Sequence, residues 1–263
     1  MNAATTNVRR LAPKVPEITV LFWVIKLLTT GIGETVSDAM GQRNVAVAGL
    51  VGVAGFVLAL RAQLRSDSYR APVYWTCVLM LAVFGTMVAD GIKDGLGLSY
   101  AVTTPVFALI VAGVFTWCYR SEGTLSIHEI NTPRRERFYW GAVLATFALG
   151  TAAGDMTAMT LNLGYLPSAG LFAALIAVPA LLFWRGGLSE VAAFWSAYVV
   201  TRPLGASFAD WFGKPVKETG LGVGDATVSV VGLCLFAALV AYVASTRRDV
   251  QRRPALVAQP AEG

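Results

Sequence analysis

Carboxylates recur at a fixed spacing inside hydrophobic segments of this chain. From a Trp, a Gly lies ten residues on and an Asp fifteen residues on, a pattern (Trp-x9-Gly-x4-Asp) that occurs four times. The copies are Trp23, Gly33, Asp38; Trp75, Gly85, Asp90; Trp140, Gly150, Asp155; and Trp195, Gly205, Asp210. Four matches in register indicate internal duplication. Acids in such surroundings favour two kinds of chemistry, cation binding and proton transfer.

Further polar groups share a helix face with each Asp, because residues four apart lie on one side of a helix. The four faces read Lys26, Thr30, Glu34, Asp38; Ala82, Thr86, Asp90, Asp94; Phe147, Thr151, Asp155, Met159; and Arg202, Ala206, Asp210, Lys214. The predicted ion-binding residues are Glu34, Asp38, Asp90, Asp155 and Asp210, with Thr30, Thr86 and Thr151 as neutral oxygen ligands. The four Asp residues are the predicted ligands of a metal ion. Lys26 and Arg202 are predicted to tune the protonation of the carboxylates.

The cluster has two interpretations. Charged groups are expensive at the centre of a bilayer, at about 2.5–3.5 kcal/mol each, so these side chains must face one another or water. In a purely structural interpretation, Lys26 and Arg202 pair with carboxylates and fix the packing. In a functional one, five acids against two bases leave a surplus of negative charge that forms a cation site or proton relay. Surplus buried carboxylates are costly to keep, and this cost favours the functional interpretation over the structural one.

Composition places these residues in a membrane protein. Of 263 residues, 56% are hydrophobic and 14% charged, and the mean hydropathy is +0.60; an ordinary soluble domain has about 25% charged residues. Eight apolar stretches are predicted to be helices, at about 17–40, 45–61, 72–92, 100–119, 138–160, 166–184, 189–212 and 222–244. The predicted fold is therefore an all-α, polytopic integral membrane bundle of eight transmembrane helices.

Basic residues predict its orientation. Fifteen Lys and Arg residues fall on the side that bears both termini, and four fall on the other side: Arg43, Lys93, Lys214 and Lys217. By the positive-inside rule both termini are cytoplasmic. The net charge of +5 reflects this topology and does not indicate a nucleic-acid partner.

Each repeat is predicted to be a two-helix hairpin, and because two spans return to the starting side, the four repeats are parallel. The predicted organisation is a disordered N-terminal tail (1–15), repeat 1 (16–62), repeat 2 (71–120), a solvated cytoplasmic loop (121–136), repeat 3 (137–185), repeat 4 (188–245) and a disordered C-terminal tail (246–263). The repeat Gly residues should let helices approach closely. The repeat Trp residues are interpreted as interfacial anchors.

Several enzyme classes are excluded by what the sequence lacks. His128 is the sole histidine, which argues against a His-based zinc site or a Ser-His-Asp triad. Cys77, Cys118 and Cys234 stand alone and form no recognisable metal or disulfide framework. No Gly-x4-Gly-Lys-Ser/Thr loop is present to bind a nucleotide. We therefore expect no enzymatic activity and no cofactor apart from a transported metal ion; paired carboxylates are compatible with a membrane enzyme, but no arrangement of nucleophile and base can be named for one.

The repeat Trp residues stand in the segments FWVIK, YWTCV, YWGAV and FWSAY. With four tandem two-span units covering residues 16–244, the chain resembles a bacterial family of uncharacterised membrane-anchored proteins. That family is built of tandem two-helix transmembrane repeats of unknown function, each marked by a Trp. The resemblance implies a bacterial polytopic membrane protein, and it brings no established substrate.

The leading functional hypothesis is a proton-coupled secondary transporter for a cation, with a divalent metal as one option. It would be a multi-pass protein of the bacterial inner membrane, with the lipid bilayer and a small ion or solute as its partners. One alternative is a transporter of a small organic anion or zwitterion, with Arg202 or Lys26 binding its carboxylate. The other is a membrane scaffold or sensor that transports nothing, in which the charges only specify packing.

Overall fold

The computed structural model describes residues 14–251, and within them the chain is entirely helical, with no strand. Eight long helices follow in order: α1 (Val20–Gly41), α2 (Val45–Arg65), α3 (Ala71–Gly95), α4 (Tyr100–Glu122), α5 (Pro133–Asp155), α6 (Tyr165–Trp184), α7 (Glu190–Gly213) and α8 (Asp225–Thr246). A π-helical turn, Met156–Thr160, extends α5, and short 3-10 turns lie at Ile127–Glu129 and Val216–Glu218. The predicted all-helical fold is confirmed.

Seven of these helices, α1 to α6 and α8, are long and apolar enough to cross a membrane, judged by length and composition. Helix α7 is not among them. It carries Arg202 and Asp210, and both side chains are buried by neighbouring helices. The outer faces of the even-numbered helices expose apolar side chains such as Leu58, Leu109 and Leu181, as expected for surfaces in contact with lipid.

The odd-numbered helices form the core. Helices α1, α3, α5 and α7 pack in a closed circle, α1 on α3, α3 on α5, α5 on α7 and α7 on α1, which we call the central ring. Each even-numbered helix packs outside the ring, mainly on the next odd-numbered helix: α2 on α3, α4 on α5, α6 on α7, and α8 on α1. The same contact thus recurs four times around the ring.

The repeat glycines lie where the ring helices cross. A Cβ atom at Gly85 would lie 2.7 Å from Cβ of Phe147, and one at Gly33 would lie 2.8 Å from the carbonyl carbon of Ala82. The four glycines face the next helix of the ring in turn: Gly33 faces Ala82, Gly85 faces Phe147, Gly150 faces Arg202, and Gly205 faces Thr30. The close approach predicted from these glycines is therefore confirmed.

The repeat Trp residues lie inside the protein. Trp75, Trp140 and Trp195 are buried, and Tyr74 and Tyr139 join them in an aromatic layer, with ring centroids 5.5 Å apart for Tyr74 and Trp140 and 6.0 Å apart for Tyr139 and Trp195. Their interpretation as interfacial anchors is therefore wrong, because the ring turns this face of each helix inward. Only Trp23 is partly exposed. Since each Trp of this layer contacts an aromatic residue near the N-terminus of a neighbouring ring helix, the four ring helices run in the same direction.

The prediction of a solvated loop over residues 121–136 is wrong for its last four residues, which belong to helix α5. Helix α5 begins at Pro133, where the Thr132 hydroxyl caps it by accepting from the Arg135 amide. Glu136 is buried: its carboxylate lies 2.7 Å from Lys14 Nζ, and Gln63 Nε2 donates to it at 3.2 Å. An acid in the first helical turn, satisfied by two partners, is stable without water.

Most of the predicted disordered tails, residues 1–13 and 252–263, falls outside the described residues. The described ends pack against the bundle. Lys14 and Val15 are buried at one end and Asp249 at the other, where its carboxylate accepts a hydrogen bond from the Tyr69 hydroxyl.

Gly33→Ala should destabilise the protein by about 1–3 kcal/mol, because the added methyl group meets the backbone of α3, which cannot move aside as a side chain can. The matched control is Gly113→Ala in α4, where a Cβ meets open space; it should be neutral or stabilising, since glycine weakens helix interiors. The midpoint of thermal unfolding in detergent measures both. Equal midpoints for the two variants would contradict close packing of the ring at Gly33.

Candidate functional site

The five predicted carboxylates line one cavity. It has a volume of about 690 Å³ and lies at the C-terminal ends of the ring helices; we call it the carboxylate cavity. Its acidic lining residues are Glu34, Asp38, Asp90, Asp94, Asp155, Asp210 and Glu218. Lys214 is the one basic residue in the lining. The four repeat Asp residues therefore converge, which the sequence left open.

Arg202 lies below this cavity and does not line it. Its side chain is fully buried, and Nη2 lies 2.7 Å from Oε2 of Glu34. The same nitrogen donates to Thr151 Oγ1 at 2.7 Å and to Thr86 Oγ1, while Nη1 donates to the Thr30 carbonyl at 2.9 Å. These partners stand on α1, α3 and α5, and Arg202 itself is on α7. One guanidinium thus contacts every helix of the central ring.

The three threonines predicted as neutral ligands of an ion all accept hydrogen bonds from Arg202. The hydroxyls of Thr86 and Thr151 accept from the guanidinium, and the Thr30 hydroxyl donates to the Leu27 carbonyl of its own helix. None of the three threonines lines the cavity. Their role as ligands of an ion stays a prediction; the hydroxyls of Thr86 and Thr151 lie 3.4 and 3.5 Å from Glu34 Oε2.

Lys26 lies about two helical turns before Glu34 on α1, away from the cavity. Its ammonium is fully buried and has no hydrogen-bond acceptor in the described part of the chain. It lies 4.2 Å from the ring centres of both Phe147 and Tyr198. The structural interpretation pairs both Lys26 and Arg202 with carboxylates; Arg202 has such a partner, and Lys26 has aromatic rings instead.

Three acids approach one another closely enough to share one ion. Oxygen atoms of Glu34, Asp38 and Asp210 all lie within 4.8 Å of one another; we call these residues the acid triad. Asp90 and Asp155 line the same cavity but are not part of this group. The metal site of four Asp residues stays a prediction, and two of the four, Asp38 and Asp210, belong to the acid triad. Glu34 lies close to Asp210 because α1 packs directly on α7.

Lys214 stands at the acid triad. Its ammonium forms an ion pair with Asp38 and lies 3.9 Å from Asp210 and 3.7 Å from Asp225. Gln42 Nε2 donates to the same oxygen of Asp225, Oδ2, at 2.7 Å. Burial lowers the pKa of Lys214, but the Asp38 and Asp210 carboxylates outweigh this and raise it above its ordinary value. Lys214 is therefore a charged group of the site.

Further residues outside the predicted set belong to this region: Gln42, Asp94, Tyr100, Tyr165, Lys214, Glu218 and Asp225. Lys214 is the last residue of the helix face read from the fourth repeat, and Gln42 stands four residues after Asp38, so extending that face by one turn identifies it. Three of these residues begin even-numbered helices and end similar segments: Tyr100 in LGLSY, Tyr165 in LNLGY and Asp225 in LGVGD. That similarity is the weak signal by which the sequence could have found them.

A family model described as a Repeat of Unknown Function (DUF347) matches residues 73–124, 138–187 and 193–249. These ranges correspond to the helix pairs α3–α4, α5–α6 and α7–α8. The pair α1–α2 lies outside them, so a count of four repeats stays a prediction. No curated protein and no solved structure matches the chain.

Arg202→Met should destabilise the protein by about 3–5 kcal/mol, because it leaves the Glu34 carboxylate buried without its cation. Arg185→Met, at the exposed end of α6, is the control and should change stability little. Thermal unfolding in detergent tests the pair. Comparable midpoints for the two variants would show that Arg202 does not hold the ring together.

Lys26→Met should leave the protein folded and raise its stability by about 1 kcal/mol or more, since a buried ammonium without a carboxylate is replaced by an apolar chain of similar length. The two cation–π contacts offset only part of the cost of burying that charge. The measurement is again the unfolding midpoint. A loss as large as that of Arg202→Met would mean that Lys26 is an essential partner in the bundle.

Proposed function

The chain belongs to the DUF347 family of repeats of unknown function, and we propose that it is a proton-coupled secondary transporter for a small cation, with divalent metal ions as the favoured class. One observation carries this proposal: a cavity of about 690 Å³ lined by seven carboxylates and a single ammonium. A pocket with this lining attracts cations and repels anions.

We further propose that the chain crosses the bacterial inner membrane eight times, as four parallel two-helix repeats, with both termini in the cytoplasm. The positions of the basic residues support this orientation. The cavity end of the bundle has Arg43, Lys93, Lys214 and Lys217 in its turns, while the opposite end has most of the arginines. The carboxylate cavity then faces the outside of the cell.

Two acids in the cavity are available to an incoming cation. Asp90 and Asp155 are partly exposed to it, whereas the lysine in the lining pairs with Asp38, Asp210 and Asp225. In low-dielectric surroundings, surplus carboxylates are relieved either by binding a cation or by taking up protons. Competition between these two events would couple cation movement to a proton gradient.

The opposite end of the bundle supports alternating access. Beneath the cavity, the Arg202 contacts and then the layer of Trp75, Trp140 and Trp195 fill the ring. Passage to the cytoplasm therefore requires the Arg202–Glu34 pair to separate. In this proposal, the described conformation is the outward-facing state of the transport cycle.

The alternatives receive less support. A transporter for organic anions would need Arg202 or Lys26 in contact with its substrate, and neither lines the cavity. A scaffold whose charges only fix packing would have no need of an open acidic cavity of this size.

Asp90→Asn and Asp155→Asn should each abolish cation flux while the protein stays folded, because each removes an acid that faces the cavity and has no basic partner among residues 14–251. Uptake of Mn²⁺ into proteoliposomes under a pH gradient, followed by quenching of a trapped dye, measures the flux. Asp67→Asn, in the exposed turn after α2, is the control and should transport normally. Undiminished flux in both cavity variants would remove the proposal.

A further inference from the structure

Lys214 occupies the position of a bound ion. Its ammonium lies against Asp38 and within 4 Å of oxygens of Asp210 and Asp225. Two members of the acid triad are therefore already neutralised in part by a cation that belongs to the chain. Its Coulomb attraction to these acids is strong because the site is largely shielded from water.

The acid triad is nevertheless unsatisfied. Asp210 is 2% exposed, and its Oδ1 atom has no hydrogen-bond partner in the described part of the chain. Asp210 lines the cavity, and one of its carboxylate oxygens lies within 4.8 Å of oxygens of Glu34 and Asp38. Lys214, at 3.9 Å, is too far from Oδ1 for a hydrogen bond. A buried carboxylate oxygen without a donor calls for a further ligand.

We propose that Lys214 is a tethered competitor for the cation site: its ammonium holds the acid triad when no substrate is bound, and a divalent cation displaces it on entry. This inference rests on the proposed function and adds to it the class of substrate and the means by which the site is kept occupied.

Charge balance selects the class of cation. The acid triad and Asp225 have four negative charges, and Arg202, paired with Glu34, offsets one. With Lys214 in place the sum is minus two; with Lys214 displaced it is minus three. A divalent cation reduces the sum to minus one, whereas a monovalent cation only repeats what the ammonium already supplies. Displacement is therefore favourable for a divalent cation and roughly balanced for a monovalent one.

The backbone permits this exchange without a large rearrangement. The Lys214 amide donates to the Asp210 carbonyl at 2.8 Å, and the Lys214 carbonyl accepts from the Gly222 amide at 2.8 Å. Hydrogen bonds thus hold both the amide and the carbonyl of Lys214 in place. The ammonium can leave the acid triad by rotation about the bonds of its four-carbon side chain. Glu218, which also lines the cavity, offers the displaced ammonium a carboxylate.

The test uses the full chain in detergent, with Mn²⁺ as probe and Na⁺ as the monovalent comparison, and follows the midpoint of thermal unfolding. Lys214→Gln should unfold at a lower temperature than wild type in cation-free buffer, because Asp38 and Asp225 lose their partner. Added Mn²⁺ should restore its midpoint, with an apparent affinity at least about tenfold tighter than that of wild type, the scale expected when a close charged competitor is removed. Na⁺ should restore it little.

Three further variants define the result. Lys217→Gln removes an exposed lysine of the same turn and should respond to Mn²⁺ as wild type does. Lys214→Arg keeps the competing charge and should bind Mn²⁺ no more tightly than wild type. Asp210→Asn should lose the Mn²⁺ response.

Equal Mn²⁺ affinity in wild type and Lys214→Gln, in a protein that transports Mn²⁺, would overturn the role of Lys214 and leave the proposed transporter standing. A lowered midpoint in Lys214→Gln that Mn²⁺ does not restore would likewise reduce Lys214 to a structural ion pair. Absence of any Mn²⁺ response together with absence of flux in wild type would overturn both proposals.

Discussion

The arrangement of the central ring depends on one guanidinium. Arg202 contacts α1 through Glu34 and the Thr30 carbonyl, α3 through Thr86 and α5 through Thr151. Both terminal nitrogens of the guanidinium have acceptors, whereas Nε has none in the described part of the chain. Because burying this charge is costly without such acceptors, the four helices must keep the spacing that supplies them. The repeat glycines permit that spacing, since Gly150 lies directly against the Arg202 side chain. Close packing and charge satisfaction therefore require each other.

The ring is nearly fourfold in its packing but cannot be fourfold in its side chains. The equivalent positions on the four helices, seven residues after each repeat Trp, are Thr30, Ala82, Phe147 and Arg202. Four arginines at this level would bring four charges to one axis. Instead, only one of the four is charged, and the Phe147 ring lies between it and Lys26, which stands one turn before Thr30, with its centre 5.5 Å from Arg202 Cζ and 4.2 Å from Lys26 Nζ. Ala82 leaves room for the crossing at Gly33. Divergence of the repeats at this one level closes the bundle below an acidic cavity.

Helix positions follow from local properties of the chain, and the predicted spans agree with the observed helices to within a few residues. The length of an apolar segment, and the four-residue spacing of the polar residues on one helix face, can both be read from a single segment of the sequence. The largest departure, the start of α5 at Pro133 where the apolar stretch suggested 138, arose because Thr132 caps a polar first turn. Glu136 could not be recognised as buried, since its partners Lys14 and Gln63 are distant in sequence.

The sequence by itself determined that the chain is a helical membrane protein with internal repeats, and that five acids lie at related depths on one face of the odd-numbered helices. Only the tertiary structure decided how the charges pair. In the folded protein Glu34 pairs with Arg202, Lys26 lies among aromatic rings, and Lys214 forms an ion pair with a member of the acid triad. The reason is physical: periodicity fixes which side of a helix a residue occupies, whereas ion pairing depends on distances of a few ångströms between helices that no single segment encodes.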